Sequence, residues 1–235
     1  MTHHSVVVSL LLVLFLVFVM PVWGWLEMRR LRRAKARIVL TRKYLTTMTA
    51  MWAIAAVCSV LAPPAILWKA PIGLAASMRL NVLPPAVIVG TILVLLIALM
   101  MPVIVASFKP GSIDSQLAPI RFILPDTIAQ RWLFALLCIT AGVCEEWIYR
   151  GFLLHLFVIE LPNVNGWLLV IAAATMFGIA HTYQGRSGGI LTGLLGLAFA
   201  LLYLGSGNLL LPIIMHALLD LRLLLVLPGV RAAAA

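Results

Sequence analysis

Cys144-Glu145-Glu146-Trp147-Ile148-Tyr149-Arg150 lies inside an apolar run that spans 132–159. A run of that length exceeds the roughly 20 mostly apolar residues that a helix needs to cross a bilayer. Two adjacent carboxylates and a guanidinium within it stand out, because the whole chain has 7 Asp and Glu in 235 residues. A charged side chain near the bilayer centre costs about 3 kcal/mol on insertion scales. Charges kept at that cost are functional candidates, and the helix that carries them fixes the class of the fold.

The rest of the chain has the same character. It is 64% hydrophobic and 10% charged, with a mean hydropathy of +1.14. A soluble domain is about 45–50% apolar and about 25% charged. The composition therefore excludes a soluble globular domain and predicts an all-α, polytopic transmembrane helical bundle of about seven spans. Apolar runs place these helices near 5–26, 44–66, 83–107, 132–159, 167–183, 189–206 and 208–227. Trp23, Trp25, Trp68, Trp132 and Trp167 fall at their ends, as an interfacial aromatic belt requires. Residues 1–131 read as N-terminal transmembrane helices with their connecting loops, 132–227 as an intramembrane core, and 228–235 as a C-terminal tail.

The net charge of +10 is placed for a membrane and not for nucleic acid. Arg29, Arg30, Arg32, Arg33, Lys35, Arg37, Arg42 and Lys43 fall in one short stretch between two apolar spans. Such clusters stay on the cytoplasmic side. Alternation from there leaves Lys69 and Arg79 outside and puts Lys109, Arg121, Arg131, Arg186 and Arg231 inside, an N-out/C-in topology. The short loops and clear bias point to a prokaryotic cytoplasmic membrane. The apolar N-terminus from Val6 to Val19 has no basic leader region and no small-residue cleavage site, so it reads as a retained first span. Cys58, Cys138 and Cys144 all lie in apolar segments, which argues against a disulfide framework.

Two weaker features need less. The loop 108–131 carries Pro110, Gly111, Pro119 and Pro125, and its apolar Ile120-Arg121-Phe122-Ile123-Leu124 is expected along the membrane interface. Gly189, Gly193 and Gly196 put small residues at helical spacing, which serves close backbone packing.

The polar groups at membrane depth are Glu145, Glu146, Arg150 and His155 in the fourth helix, His181 at the end of the fifth, and His216, Asp220 and Arg222 in the seventh. Glu146 and Arg150 are four apart, with the acid N-terminal to the base, which is the better orientation for a pair on one helix face. Phe177 and His181 have the same spacing. So do His216 and Asp220, which lets the carboxylate reach the imidazole. Glu145 is about 100° around the helix from Glu146. Arg150 can serve one of them, so Glu146 is the ion-paired member. Glu145, without an in-helix cation, is placed for general-base work. Two histidines supply a second group to orient a water and a donor for a developing oxyanion. Each pair alone would suit structural packing, such as an ion pair pinning two helices or a satisfied histidine at a helix end. All of them in one small membrane protein are hard to assign to packing.

These residues resemble a known family. Glu145-Glu146-x-x-x-Arg150, then Phe177-x-x-x-His181, then His216-x-x-x-Asp220 are similar to the three ordered motifs of the CPBP group. These are the CAAX-protease and bacteriocin-processing intramembrane endopeptidases, also called ABI. The resemblance covers about 140–225, and the first three helices share only hydrophobicity with it. It implies a glutamate-dependent hydrolase acting on peptide bonds of a membrane-anchored protein or peptide, with the lipid bilayer as surroundings and no cofactor. Glu145 would activate water, His181 would help position it, and His216 with residue 220 would stabilise the oxyanion. Glu146, Arg150 and Phe177 would organise the site. The family often has Asn at the last position, whereas this chain has Asp220. An ionised Asp cannot donate to an oxyanion, so Asp220 is expected to orient His216 by accepting its other N–H.

Other chemistries remain in view. Glutamate, two histidines and Asp220 could bind zinc, although no HExxH helix is present. Gly185-Arg186-Ser187-Gly188 matches the GxSG of rhomboid serine proteases but leaves the Glu145-Glu146 pair unexplained. Cys144 could be a nucleophile, although buried membrane cysteines are usually packing residues. A proton-coupled carrier or a scaffold for membrane partners is the non-enzymatic alternative. Carriers usually show internal repeats, which this sequence lacks.

Overall fold

Backbone groups in lipid must be satisfied within their own segment, so apolar runs separated by short polar breaks fold as helices. The computed structural model describes residues 3–33, 37–78, 85–108, 117–118 and 120–227. Among these residues no strand forms, apart from an isolated antiparallel bridge between Lys69 and Asn208. Lys35, Arg79, Pro84, Lys109, Pro110, Gly111, Pro119 and the tail 228–235 lie outside the described residues.

Helix α1 runs from His3–Leu14 through a π-helical turn at Phe15–Val19 into Met20–Arg33. Helix α2 is Arg37–Leu61, followed by the short α3, Pro64–Trp68, and α4, Ile72–Ser77. Helix α5 is Pro85–Phe108. Helix α6 begins as Ile128–Glu146, passes through a π-helical turn at Trp147–Leu153 and ends as Leu154–Glu160. Then come α7, Gly166–Ala180, α8, Arg186–Ser206, α9, Leu210–Leu221, and the short α10, Leu223–Val226. Over its described residues, each apolar run read from the sequence is thus mostly helical.

The number of full spans is a separate matter. Four described segments are long and apolar enough to cross a membrane: Leu10–Leu31, Val39–Leu61, Ile128–Glu160 and Arg186–Ser206. Ile88–Met101 and Gly166–Ala180 are apolar but shorter. Helix α9 has 12 residues, about 18 Å at 1.5 Å per residue, against a hydrocarbon core of about 30 Å. The protein is an integral membrane helical bundle, and α7 and α9 are shorter than the spans expected for them.

Local signals explain the helix ends that frame the core. Thr127 caps α6 by accepting from the Gln130 N–H, and Gln130 Oε1 accepts from the Asp126 N–H at 3.0 Å. The Asn165 side chain caps α7 by accepting from the Trp167 N–H. Helix α8 stops at Gly207, whose φ of 78° is the left-handed conformation that glycine adopts without a Cβ clash.

The largest cluster of buried side chains surrounds the π-helical turn of α6. It includes Leu67, Tyr149, Phe152, Leu153, Phe177, Tyr203 and Leu209. Tyr203 donates to the backbone carbonyls of Leu67 and Lys69, at 3.0 and 2.7 Å, so α3 is pinned to α8 through a buried polar contact. Helices α7 and α8 pack backbone to backbone at Gly178, where an added Cβ would lie 2.7 Å from the Gly189 carbonyl oxygen and 3.0 Å from Gly193 Cα. Gly189 and Gly193 of the small-residue stripe pack in this way. The 120–124 segment packs against the bundle. Leu124 is buried, and the Ile123 carbonyl accepts from the Tyr44 hydroxyl at 2.6 Å, which holds this turn against α2.

Candidate active site

Helices α6 and α9 approach closely because α6 has no side chain at Gly142. An added Cβ there would stand 3.0 Å from both Ala217 Cβ and Ala217 N. Ala217 follows His216, and Glu145 and Glu146 lie about one turn beyond Gly142. The small contact therefore brings the acidic pair opposite the imidazole.

Glu146 faces inward with no exposed surface, at the rear of the site. Its Oε1 accepts from Arg150 Nη1 at 2.8 Å and lies 2.7 Å from His216 Nδ1. Arg150 is 2% exposed, and its Nη2 donates to the Gly196 carbonyl at 2.9 Å. The guanidinium also lies over the Phe177 ring, 4.5 Å from its centroid, which places a cation on a π face. Arg150 sits in the π-helical turn that begins directly after Glu146. Such turns are rare and occur often at functional sites. The i,i+4 pair read from the sequence is formed, on a helix whose pitch the sequence did not reveal.

The front of the site is a cavity of about 250 Å³, lined among others by Glu145, Phe177, His181, His216 and Asp220. Glu145 Oε2 lies 3.7 Å from His181 Nε2 and 3.8 Å from His216 Nε2. These separations exceed hydrogen-bond length. That oxygen is buried and has no hydrogen-bond partner. His181 ends α7, and its Nδ1 donates to the Phe177 carbonyl at 2.8 Å, which turns Nε2 toward Glu145. Phe177 packs on the rings of His181 and Tyr149, and Phe199 stacks on His216 at 5.1 Å and 11°.

Asp220 is placed differently from its expected role. His216 Nδ1, the nitrogen it was to orient, is taken by Glu146. Asp220 Oδ2 lies 3.7 Å from Nε2, on the cavity side, and its side chain is 41% exposed. The physical reason lies in the other helix. Glu146 reaches the ring from α6 across the Gly142 contact, and its charge is held in place by Arg150. Orientation of His216 therefore belongs to Glu146. We expect Asp220→Asn to keep hydrolytic activity within about tenfold, whereas His216→Ala loses about 10³-fold, the scale of a lost oxyanion donor. A comparison of kcat/KM for the two variants on one reporter peptide checks this, and equal losses would contradict it.

The remaining candidates do not join the site. His155 Nδ1 lies 2.6 Å from the Gly151 carbonyl, a bond along its own helix. Cys144 is fully buried in the largest apolar cluster, and Ser187 is exposed at the start of α8; neither lines the cavity. Among the described residues no group of three or more His, Cys, Asp or Glu is arranged to hold a metal ion.

Three contributors were not singled out for the site from sequence: Phe199, Gly196 and Tyr149. Gly196 belonged to the small-residue stripe, but its own role is different. Its carbonyl holds Arg150, and an added Cβ would stand 3.0 Å from Phe177 Cδ1 and 3.2 Å from Arg150 Nη2. Gly196→Ala is therefore expected to displace the guanidinium and lower kcat about 10-fold to 100-fold, as small misplacements of catalytic groups do. Gly193→Ala, whose Cβ meets nothing nearer than 3.5 Å, is the control expected to stay near wild type.

Residues 127–222 match the family model described as type II CAAX prenyl endopeptidase, Rce1-like. The matched segment contains all three motifs and every residue of the site described above, and it bears out the resemblance drawn from those motifs. No curated protein and no solved structure matches the chain.

Proposed function

With its core matched to a membrane CAAX-endopeptidase family, we propose that this integral membrane protein hydrolyses peptide bonds of membrane-anchored substrates with a water activated by Glu145. The observation that carries the reading is the Glu145 carboxylate, with a buried, unpaired oxygen facing the Nε2 atoms of two histidines at 3.7 and 3.8 Å. An oxygen atom about 2.8 Å from each partner bridges separations of that size, as a water does between polar groups too far apart to bond directly.

The steps follow from the groups at hand. Glu145 takes a proton from the water as its oxygen attacks the scissile carbonyl carbon. His181, oriented by the Phe177 carbonyl, accepts from the same water through Nε2 and fixes its direction. His216 in its doubly protonated form gives an Nε2–H to the developing oxyanion, while its Nδ1–H donates to Glu146. The protonated Glu145 then passes its proton to the leaving amine, which returns the site to its starting state. Glu146 and Arg150 touch no reacting atom in this scheme; they hold His216 and the α6 backbone. Lys43 of the basic cluster lines the cavity, so a cytoplasmic placement of that cluster would put the cavity toward that face.

No metal takes part in this account. Hydrolysis of a quenched, farnesylated CAAX reporter peptide by the purified chain in liposomes is expected to continue at an unchanged rate after dialysis against a strong chelator. Loss of activity on chelation, restored by zinc, would replace this reading with a zinc hydrolase. Failure of any membrane-anchored reporter to be cut would favour a scaffold that binds membrane partners.

A further inference from the structure

A second cavity, of about 530 Å³, opens between α1 and α2. The apolar segments Leu10–Leu31 and Val39–Leu61 follow each other closely in the chain, so the end of the first and the start of the second meet at one membrane face. The polar end of the cavity carries Arg30, Arg42 and Lys43. Lys43 is paired with Glu27. Among the described residues Arg30 and Arg42 have no acidic partner. Thr47 lines the same cavity, and its Oγ1 is buried without a hydrogen-bond partner. Its neighbours Thr46 and Thr49 donate to the Lys43 and Leu45 carbonyls, the usual resort of a helical threonine. Thr47 does not, and a buried hydroxyl without an acceptor is costly.

The other end of the cavity is apolar, with Met20 and Trp23 on α1 and Met51 on α2. Trp23 lies seven residues before Arg30, and Met51 nine residues after Arg42. At 1.5 Å per residue these separations are about 10 and about 14 Å along the helices. The headgroup layer on each side of a bilayer is about 5–8 Å thick. The cavity therefore runs from cations at headgroup level to an apolar wall at hydrocarbon level. Arg29 lies over the Trp25 ring, 4.3 Å from its centroid, beside the cations, where an interfacial tryptophan belongs. A soluble anion would meet only the polar end. A molecule with a phosphate head and acyl tails meets both, and basic pockets between membrane helices suit anionic lipid heads.

We infer that the cavity between α1 and α2 is a binding site for one anionic glycerophospholipid. Arg30, Arg42 and the Thr47 hydroxyl hold its phosphodiester, and its acyl chains run along Met20, Trp23 and Met51. Lys43, Thr47 and Met51 line both this cavity and that of the candidate active site. The bound lipid thus backs a wall of α2 that the two cavities share. The inference concerns binding and stands apart from the peptidase reading.

Native mass spectrometry of the full-length protein in a non-ionic detergent, with phosphatidylglycerol and phosphatidylcholine added in equal amounts, tests it. Wild type is expected to retain one phosphatidylglycerol in at least tenfold preference to phosphatidylcholine, and phosphatidylglycerol alone should raise Tm. In the double variant Arg30→Gln, Arg42→Gln the preference should fall to near one. Thr47→Val keeps every charge and nearly the same shape, and it should still lower phosphatidylglycerol retention several-fold. This second variant decides the matter if the double variant does not fold. Arg29→Gln, a basic residue of the same stretch that does not line the cavity, should keep the preference. Equal retention of the two lipids overturns the inference, as does a preference that survives both the double variant and Thr47→Val. An equal loss in Arg29→Gln would mean diffuse attraction to the basic stretch and would also overturn it. So would a rise in Tm with glycerol 3-phosphate as large as that with the lipid, which would make the cavity a site for soluble phosphates.

Discussion

Glu146→Ala is expected to destabilise the folded protein by about 3–5 kcal/mol, the cost of stranding one partner of a buried ion pair. One carboxylate oxygen serves two buried groups, Arg150 at 2.8 Å and His216 at 2.7 Å. Removing it leaves a guanidinium that is 2% exposed with the Gly196 carbonyl as its remaining described hydrogen-bond acceptor. Thermal unfolding in detergent micelles should show a clear fall in Tm. The double variant Glu146→Leu, Arg150→Met should recover part of that loss, because replacing both charges by apolar groups of similar size is often neutral or stabilising. It should not recover hydrolysis, because His216 would still lack its anchor. A single variant as stable as wild type would contradict the placement of this pair.

Glu145→Gln is expected to have the opposite profile. Hydrolysis should fall about 10³-fold, within the range for loss of a general base, while Tm stays within about 2 °C. The reason lies in the contacts. Glu145 Oε2 has no hydrogen bond to lose, and both histidine nitrogens stand beyond bonding distance. An amide of the same shape fills the same space and cannot take a proton from water. On the proposed mechanism, adjacent glutamates would divide into one whose charge holds the fold and one whose charge does the chemistry. Measuring Tm and kcat/KM on both variants separates the two roles, and parallel losses in both quantities would contradict the division.

That division was partly legible in the sequence. Helical spacing alone paired Glu146 with Arg150 and left Glu145 facing another direction, and the structure has both features. Apolar runs gave the long helices, because in lipid no other open backbone structure is satisfied, but not the short α4 in the connection after residue 66. What stayed hidden depended on tertiary contacts. The π-helical turn after Glu146 has no marker in composition. The reach of Glu146 to His216 depends on Gly142 letting two helices approach, and periodicity on one helix cannot show a contact between two. For the same reason Asp220 was assigned to the nitrogen that Glu146 occupies: the spacing from His216 to Asp220 was visible, and the competing acid 70 residues earlier was not. The length of α9 was overread because the apolar run continues past Arg222, where the chain turns into the short α10.

The most direct test of glutamate-driven proteolysis is a comparison of membrane-peptide termini in cells that produce either the wild-type chain or Glu145→Gln at equal, folded levels. Mass spectrometry of those termini should reveal a set of shortened C-termini present with wild type and absent with the variant, each replaced by its uncut form. Identical sets of termini in the two strains, with the variant folded and in the membrane, would contradict the account.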